Sequence, residues 1–246
     1  MTTRSSNRVV LRHGWEATVG IAVAYVLSAF RGAGVPLRRS LALGVLLAAS
    51  LVLPAVAGAA TCASGAGAMT VALNANETAT VSTSAGALTL NNVPCPGGAT
   101  VSNTNTVTIN GNTGNETAVI DLSNGPLSPG LTPEGSGVSE VEINAALQLG
   151  SGDRVTVNGS SSADQLVIGA AGINLNGDDD ADVTPSGVEN YTASGADGND
   201  VVSAAGGQGT GSALILPSSL QGDQGDDALA SGLGNDTIGV ARALTP

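Results

Sequence analysis

Residues 222–239 read GDQGDDALASGLGNDTIG, a nine-residue phrase of glycines and aspartates closing on a short apolar run and stated twice in succession. Residues 195–203, GADGNDVVS, state it a third time. A chain that returns to a glycine-rich turn and a short apolar run every nine residues is built for stacking, because each repeat buries its apolar side only against the next.

The phase outlasts the clear copies. Gly159, Gly195 and Ser231 are each 36 residues apart, four times nine. Stepping by nine through the eighth position gives Val157, Leu166, Leu175, Thr184, Ala193, Val202, Gly211, Leu220, Leu229 and Ile238, an apolar row broken twice and expected to point inward. Taken every 18 residues, the sixth position gives Asp164, Asp182, Asp200, Ser218 and Asp236. With two nonads to a coil, these become a ladder of carboxylates about 4.8 Å apart, with Asp182 between Asp164 and Asp200. Such a ladder repels itself unless cations sit in it, and Ca2+ suits carboxylates mixed with turn carbonyls. Residues 204–221 lack the aspartates; if they loop out, Asp200 meets Asp236 directly.

The three nonads fit the pattern G-G-x-G-x-D-x-U-x, with U a large apolar residue, at all but one position each. They resemble the haemolysin-type calcium-binding repeats, the RTX family, over 27 residues. The resemblance implies a right-handed parallel β-helix or β-roll, with Ca2+ held between stacked Gly/Asp turns. On this chain those turns supply Gly195, Asp197, Gly222, Asp226, Asp227, Asn235 and Asp236, beside the ladder residues Asp164, Asp182 and Asp200. Toxin function gains no support, since no pore-forming or catalytic domain accompanies the repeats.

A second acidic run, NGDDDADVTPSGVE, sets Asp178, Asp180, Asp182 and Glu189 at positions 1, 3, 5 and 12 of an EF-hand-like loop. Val183 stands where the loop needs glycine and Pro185 intrudes, so a solvated acidic turn is the plain reading. A calcium-decorated turn shared with the Asp182 rung is the alternative, and Asp178 and Asp180 are carried as metal candidates on that ground.

Upstream, residues 69–158 alternate short β-branched runs (MTVAL, TATV, LTL, TVTI, AVIDL, VEI, RVTV) with Gly, Asn, Ser and Pro, so the whole is all-β. Residues 123–137, with three prolines and four glycines, read as a surface loop. Residues 60–158 are expected as an irregular β-rich or β-helical part carrying the disulfide and 159–240 as the nonapeptide-phase, β-roll-like calcium-binding part, followed by a tail at 241–246.

Residues 36–60 carry Arg38-Arg39, an apolar run and Ala57-x-Ala59, which predicts a signal helix at 35–59 and export. Because such a signal should open a chain, residues 1–34 are read as an overlong gene start. Beyond Ala59 stand 19 acidic residues against Arg154 and Arg242, with no Lys or His. That balance excludes nucleic-acid binding, which needs cations to displace phosphate counterions. It also leaves little for acid–base or nucleophilic catalysis, so the chain is read as a non-enzyme. Cys62 and Cys95, an even pair in an oxidising compartment, are expected to form a disulfide.

The expectation is a secreted calcium-binding β-solenoid, extracellular or at the cell surface, whose protein or glycan partner is unknown. The alternatives are a metal-independent structural or adhesive β-helix and a glycan-active hydrolase.

Overall fold

A computed structural model describes residues 59–240 except positions 136 and 149. The expected signal helix and the segment before it, the cleavage position apart, lie outside the described residues, as does the tail after Val240.

The described residues contain strands, turns and bends and no helix. In chain order the strands are β1 (Thr61–Gly65), β2 (Ala68–Ala72), β3 (Thr78–Ser84), β4 (Ala87–Leu90), β5 (Val93–Pro94), β6 (Thr106–Asn110), β7 (Thr117–Asp121), β8 (Glu142–Ala146) and β9 (Arg154–Asn158). They continue as β10 (Gln165–Ile168), β11 (Ile173–Asn174), β12 (Val183–Ser186), β13 (Asn190–Ser194), β14 (Val201–Ser203), β15 (Ser218–Gln221), β16 (Ala228–Ala230) and β17 (Thr237–Gly239). Every run named from the sequence lies in a strand or overruns one by a single residue. Turn formers cut the strands short, and β-branched residues fill them.

Two sheets result, in the orders β1-β2-β6-β8-β12-β11-β10-β14-β16 and β17-β15-β13-β9-β7-β3-β4-β5. The chain passes from one to the other and back, so rungs pair in parallel: β2 on β6 on β8 on β12 in the first sheet, and β3 on β7 on β9 on β13 on β15 on β17 in the second. This is a β-solenoid. Alternate residues of each strand point inward, as in Thr106–Asn110, where Val107 and Ile109 are buried between half-exposed neighbours. The inward residues of both sheets form one core, from Met69 and Ala79 to Val202 and Leu220. Strands of residues 60–158 share both sheets with those of 159–240.

The nine-residue phase survives in the register, but only the last coil is 18 residues. Val157 pairs with Ala193, Ala193 with Leu220, and Leu220 with Ile238, at separations of 36, 27 and 18. On the other sheet Leu166 pairs with Val202, 36 away, and Val202 with Leu229, 27 away. A coil spends four nonads, then three, then two, and the surplus goes into the extra strands β11 and β12 in the longest coil and into a longer turn in the next. The eighth-position row therefore divides between the two sheets. Thr184 and Gly211, its polar and side-chain-free members, are exposed, and so is Ile238, on the last described rung, against the expectation that it is buried. Residues 204–221 do not leave the stack altogether, because their last four are β15.

One excursion breaks the parallel order. After β9 the chain lays down β10, turns back antiparallel through β11, and turns again into β12, which lands on β8. The turn between β11 and β12 holds the run of aspartates.

The N-terminal end is closed by antiparallel strands, β1 on β2 and β4-β5 on β3. The expected disulfide is present: Cys62 in β1 joins Cys95, just after β5, with Cα atoms 5.7 Å apart, and so ties the edge of one sheet to the edge of the other.

Candidate metal centre

The stacked Gly/Asp turns lie where the sequence placed them, at the start of strands, but with different neighbours. The turns 159–164, 195–200 and 222–227 precede β10, β14 and β16 and lie one above another. Their aspartates form a true ladder: the backbone N–H of Asp164 donates to Asp200 Oδ1 at 2.8 Å, and that of Asp200 to Asp227 Oδ1 at 3.0 Å. Asp182 is not in it. Asp236 belongs to the other sheet, where it accepts from the N–H and hydroxyl of Ser218. The 18-residue column thus separates into members of three different places, because the coil length that would align them is not the one adopted.

Close stacking depends on glycine. A side chain at Gly195 would lie 2.2 Å from Asp200 Oδ2, and one at Gly222 2.2 Å from Asp227 Oδ2. The turns 195–200 and 222–227 are joined backbone to backbone, Gln224 N–H to Ala196 O and Gly198 N–H to Gln224 O, both at 2.8 Å. Asp197 accepts from the Gln224 amide and Asn199 from the Asp226 N–H. Asn235 stands exposed in the last turn, beside half-buried Asp236. Asp200, 1% exposed, keeps one oxygen, Oδ2, with no hydrogen-bond donor. Burial first, then the charges of its ladder neighbours, raises its pKa above the usual carboxylate range.

A second ladder, not foreseen, runs along the starts of the other sheet's strands. Glu116 N–H donates to Asp153 Oδ1 at 2.6 Å, and Asp153 N–H to Glu189 Oε2 at 2.9 Å. Its signal in the sequence is an acid directly before a β-branched run, as in ETAVI, DRVTV and ENYT. Glu189, the twelfth position of the EF-hand-like reading, is committed here and is not part of the acidic turn.

The densest collection of carboxylates lies elsewhere. Pairing of β8 with β12 sets Val183 opposite Ile143, so Asp182 and Glu142 meet at the starts of adjacent strands. The irregular loop before β8 folds against the turn before β12: Val138 N–H donates to Asp178 Oδ2 at 2.8 Å, and the Asn176 amide to Glu140 Oε2 at 3.0 Å. Oxygens of Glu134, Glu140, Glu142 and Asp180 come within 4.8 Å of one another, and so do those of Asp178, Asp180 and Asp182. Of these six carboxylates the sequence named only the three aspartates.

Buried Asn174 shapes the turn. Its amide donates to the carbonyls of Asp178 and Asp180, and its Oδ1 accepts from the N–H groups of Asn176 and Gly177. Asp182, fully buried, is fixed by the N–H of Leu175.

No positive charge balances this site: among the described residues the one basic side chain is Arg154, in the opposite sheet. Glu140 is 7% exposed, and its Oε1 has no donor, nor has Glu134 Oε2. The carboxyls are therefore hard to ionise. Burial and then contact with Asp182 push Glu140 up to about 10. Burial and the charge of Glu134 push Glu142 up to about 7. The carboxyl of Asp178, followed by burial, pushes Asp180 up to about 7, and burial raises Asp182 as well. Burial also opposes ionisation of Asp178, but its donors, led by the Val138 N–H, outweigh it and hold that carboxyl below its ordinary range. Without a cation, protons must hold these oxygens apart.

The donors are all hard oxygen. With no histidine among the described residues and both cysteines in the disulfide, the set suits Ca2+ or Mg2+ rather than zinc or copper. In comparisons with known proteins, no family model matches the chain, and neither does any curated protein or solved structure.

Proposed function

We propose that this chain is an exported calcium-binding β-solenoid whose principal site is the cluster of Glu134, Glu140, Glu142, Asp178, Asp180 and Asp182. The observation that carries the reading is the Glu140 carboxyl, buried among carboxylates with one oxygen undonated and no base beside it. A buried anion in that position calls for a cation or a proton. Ca2+ accepts six to eight oxygens in flexible geometry, whereas Mg2+ demands a near-ideal octahedron and retains its waters. A crowded, carboxylate-rich pocket assembled from a loop and a turn suits the larger ion.

The ion would staple the loop before β8 to the turn before β12. Stability outside the cell, where Ca2+ is millimolar, then depends on it through binding to the folded state alone. We read the role as binding and not catalysis, because the residues supply carboxylates without the histidine, lysine or nucleophile that would work with them. The disulfide is in keeping with an oxidising, extracellular setting.

Isothermal titration of the chelated protein with CaCl2 tests this. Wild-type protein should bind, and Glu140→Gln should bind at least tenfold more weakly. Equal affinity in the two proteins would refute the assignment.

The orphan oxygen of Asp200 favours a second reading, the RTX-like one, with Ca2+ between the turns 195–200 and 222–227. It predicts that Asp200→Asn, and not Glu140→Gln, weakens binding.

A further inference from the structure

We infer that the acidic cluster takes two divalent cations, with the Asp180 carboxylate bridging them; this rests on the reading of the cluster as a calcium site.

The six carboxylates do not form one group. They form two, Glu134/Glu140/Glu142/Asp180 and Asp178/Asp180/Asp182, each with its oxygens within 4.8 Å of one another and with Asp180 common to both. Two oxygens bound to one Ca2+ at 2.3–2.6 Å can be no more than about 5 Å apart, so each group matches one ion's coordination sphere. Asp178 and Asp182 fall outside the sphere that Glu134, Glu140 and Glu142 define. A carboxylate with two oxygens can serve an ion on each side.

Charge leads to the same number. One divalent ion would neutralise a third of the six carboxylates, and Arg154 lies in the other sheet. Two ions neutralise two-thirds, leaving a balance that half-exposed Glu142 and Asp178 can share with solvent.

Glu140 lies at the seam. Its carboxyl, with Oε1 undonated, belongs to the first group and also abuts Asp182 of the second. The Asn176 amide reaches both, at 3.0 Å to Glu140 Oε2 and 3.4 Å to Asp182 Oδ1. Unpaired, these anions repel; with an ion on each side, every oxygen directed into the space between loop and turn has a partner. The first ion would be held chiefly from the loop and β8, the second from the turn before β12.

Native mass spectrometry of the full chain across a CaCl2 titration, with far-UV circular dichroism as a folding control, decides it by difference. Glu134→Gln should lose one Ca2+ relative to wild type and Asp178→Asn one; the double variant should lose two, and Asp180→Asn two. If the double variant loses no more than either single one, a single ion occupies the cluster and the inference falls. Should Asp180→Asn fail to fold, the first three proteins decide alone. Wild-type protein that binds no Ca2+ would remove the calcium reading itself, and this inference with it.

Discussion

The N–H of Asp164 donates to the carboxylate of Asp200 across one rung of the solenoid, 36 residues along the chain. Asp200 repeats the contact onto Asp227, and on the opposite sheet Glu116, Asp153 and Glu189 form the same relay. Each carboxylate satisfies a backbone N–H at the start of a neighbouring strand, where no sheet partner reaches it. The acids are therefore part of the stacking itself. Asp200→Ala should destabilise the chelated protein by about 1–3 kcal/mol, the usual cost of leaving a buried N–H unsatisfied, while Asp200→Asn, which keeps Oδ1, should lose less. Urea unfolding of both variants measures the difference; equal losses would show that the acceptor is immaterial.

Glu140→Gln should leave stability at pH 7 without Ca2+ within about 1 kcal/mol of wild type, because a carboxyl with its pKa pushed up to about 10 is already neutral there. The calcium-dependent gain should shrink sharply. For wild type that gain is about 2.7 kcal/mol at a hundred times Kd, visible as a rise in Tm. Asp182→Ala should also reduce it, whereas Asp236→Ala, which removes the acceptor of Ser218, should lower stability with and without Ca2+ alike. Thermal melts of the four proteins with CaCl2 or chelator separate these effects.

Without Ca2+ the protein should lose stability as pH rises from about 4.5 through 7. Glu142 and Asp180 are raised from ordinary values of 4.5 and 3.8 to about 7 in the fold. A raised carboxyl stabilises most below its unfolded value, and that contribution is lost as pH climbs through the folded one. Asp178, held low, acts oppositely and only in acid: its contribution is present above 3.8 and fades as pH falls through its folded value. Ca2+ must displace the shared protons, so its affinity should increase between pH 5 and 8. Chemical unfolding at pH 5 and 8, with and without CaCl2, reads both trends; an apo protein more stable at pH 8 would contradict them.

Replacing Cys62 and Cys95 by serine should destabilise the chain by roughly 3–4 kcal/mol in the loop-entropy view, for a bridge spanning 33 residues. Hydrogen exchange should quicken first in β1, β4 and β5, the strands of the closed end. Calcium affinity should stay unchanged, since the acidic cluster lies at β8 and β12, beyond β2 and β6 from the edge strand β1.

Much of this was legible in the residues. The paired rows Val157, Ala193, Leu220, Ile238 and Leu166, Val202, Leu229 follow from the nine-residue period, because burial of all but their last members, half-buried Leu229 and exposed Ile238, holds the phase whatever lies between. Coil length was not legible: 18, 27 and 36 all keep that phase, and only the lengths of the turns distinguish them. Asp178, Asp180 and Asp182 could be singled out because they are adjacent in sequence. Glu134, Glu140 and Glu142 could not, since their approach depends on β8 pairing with β12 at a separation of 40, which is not a multiple of nine.

The detour through β10, β11 and β12 constrains the order of assembly. Up to Asn158 each new strand finds its predecessor already in place, so a chain emerging from its N-terminus can add rungs one at a time. β10 does not: its inner neighbour is β11, which comes after it, and the gap back to β8 closes only when β12 arrives. Residues 165–186 must therefore settle as a block, with Leu166 and Ile168 uncovered until they do. The turn that ends this wait is the one carrying Asp178, Asp180 and Asp182, so a cation captured there would act on the step at which growth of the solenoid resumes.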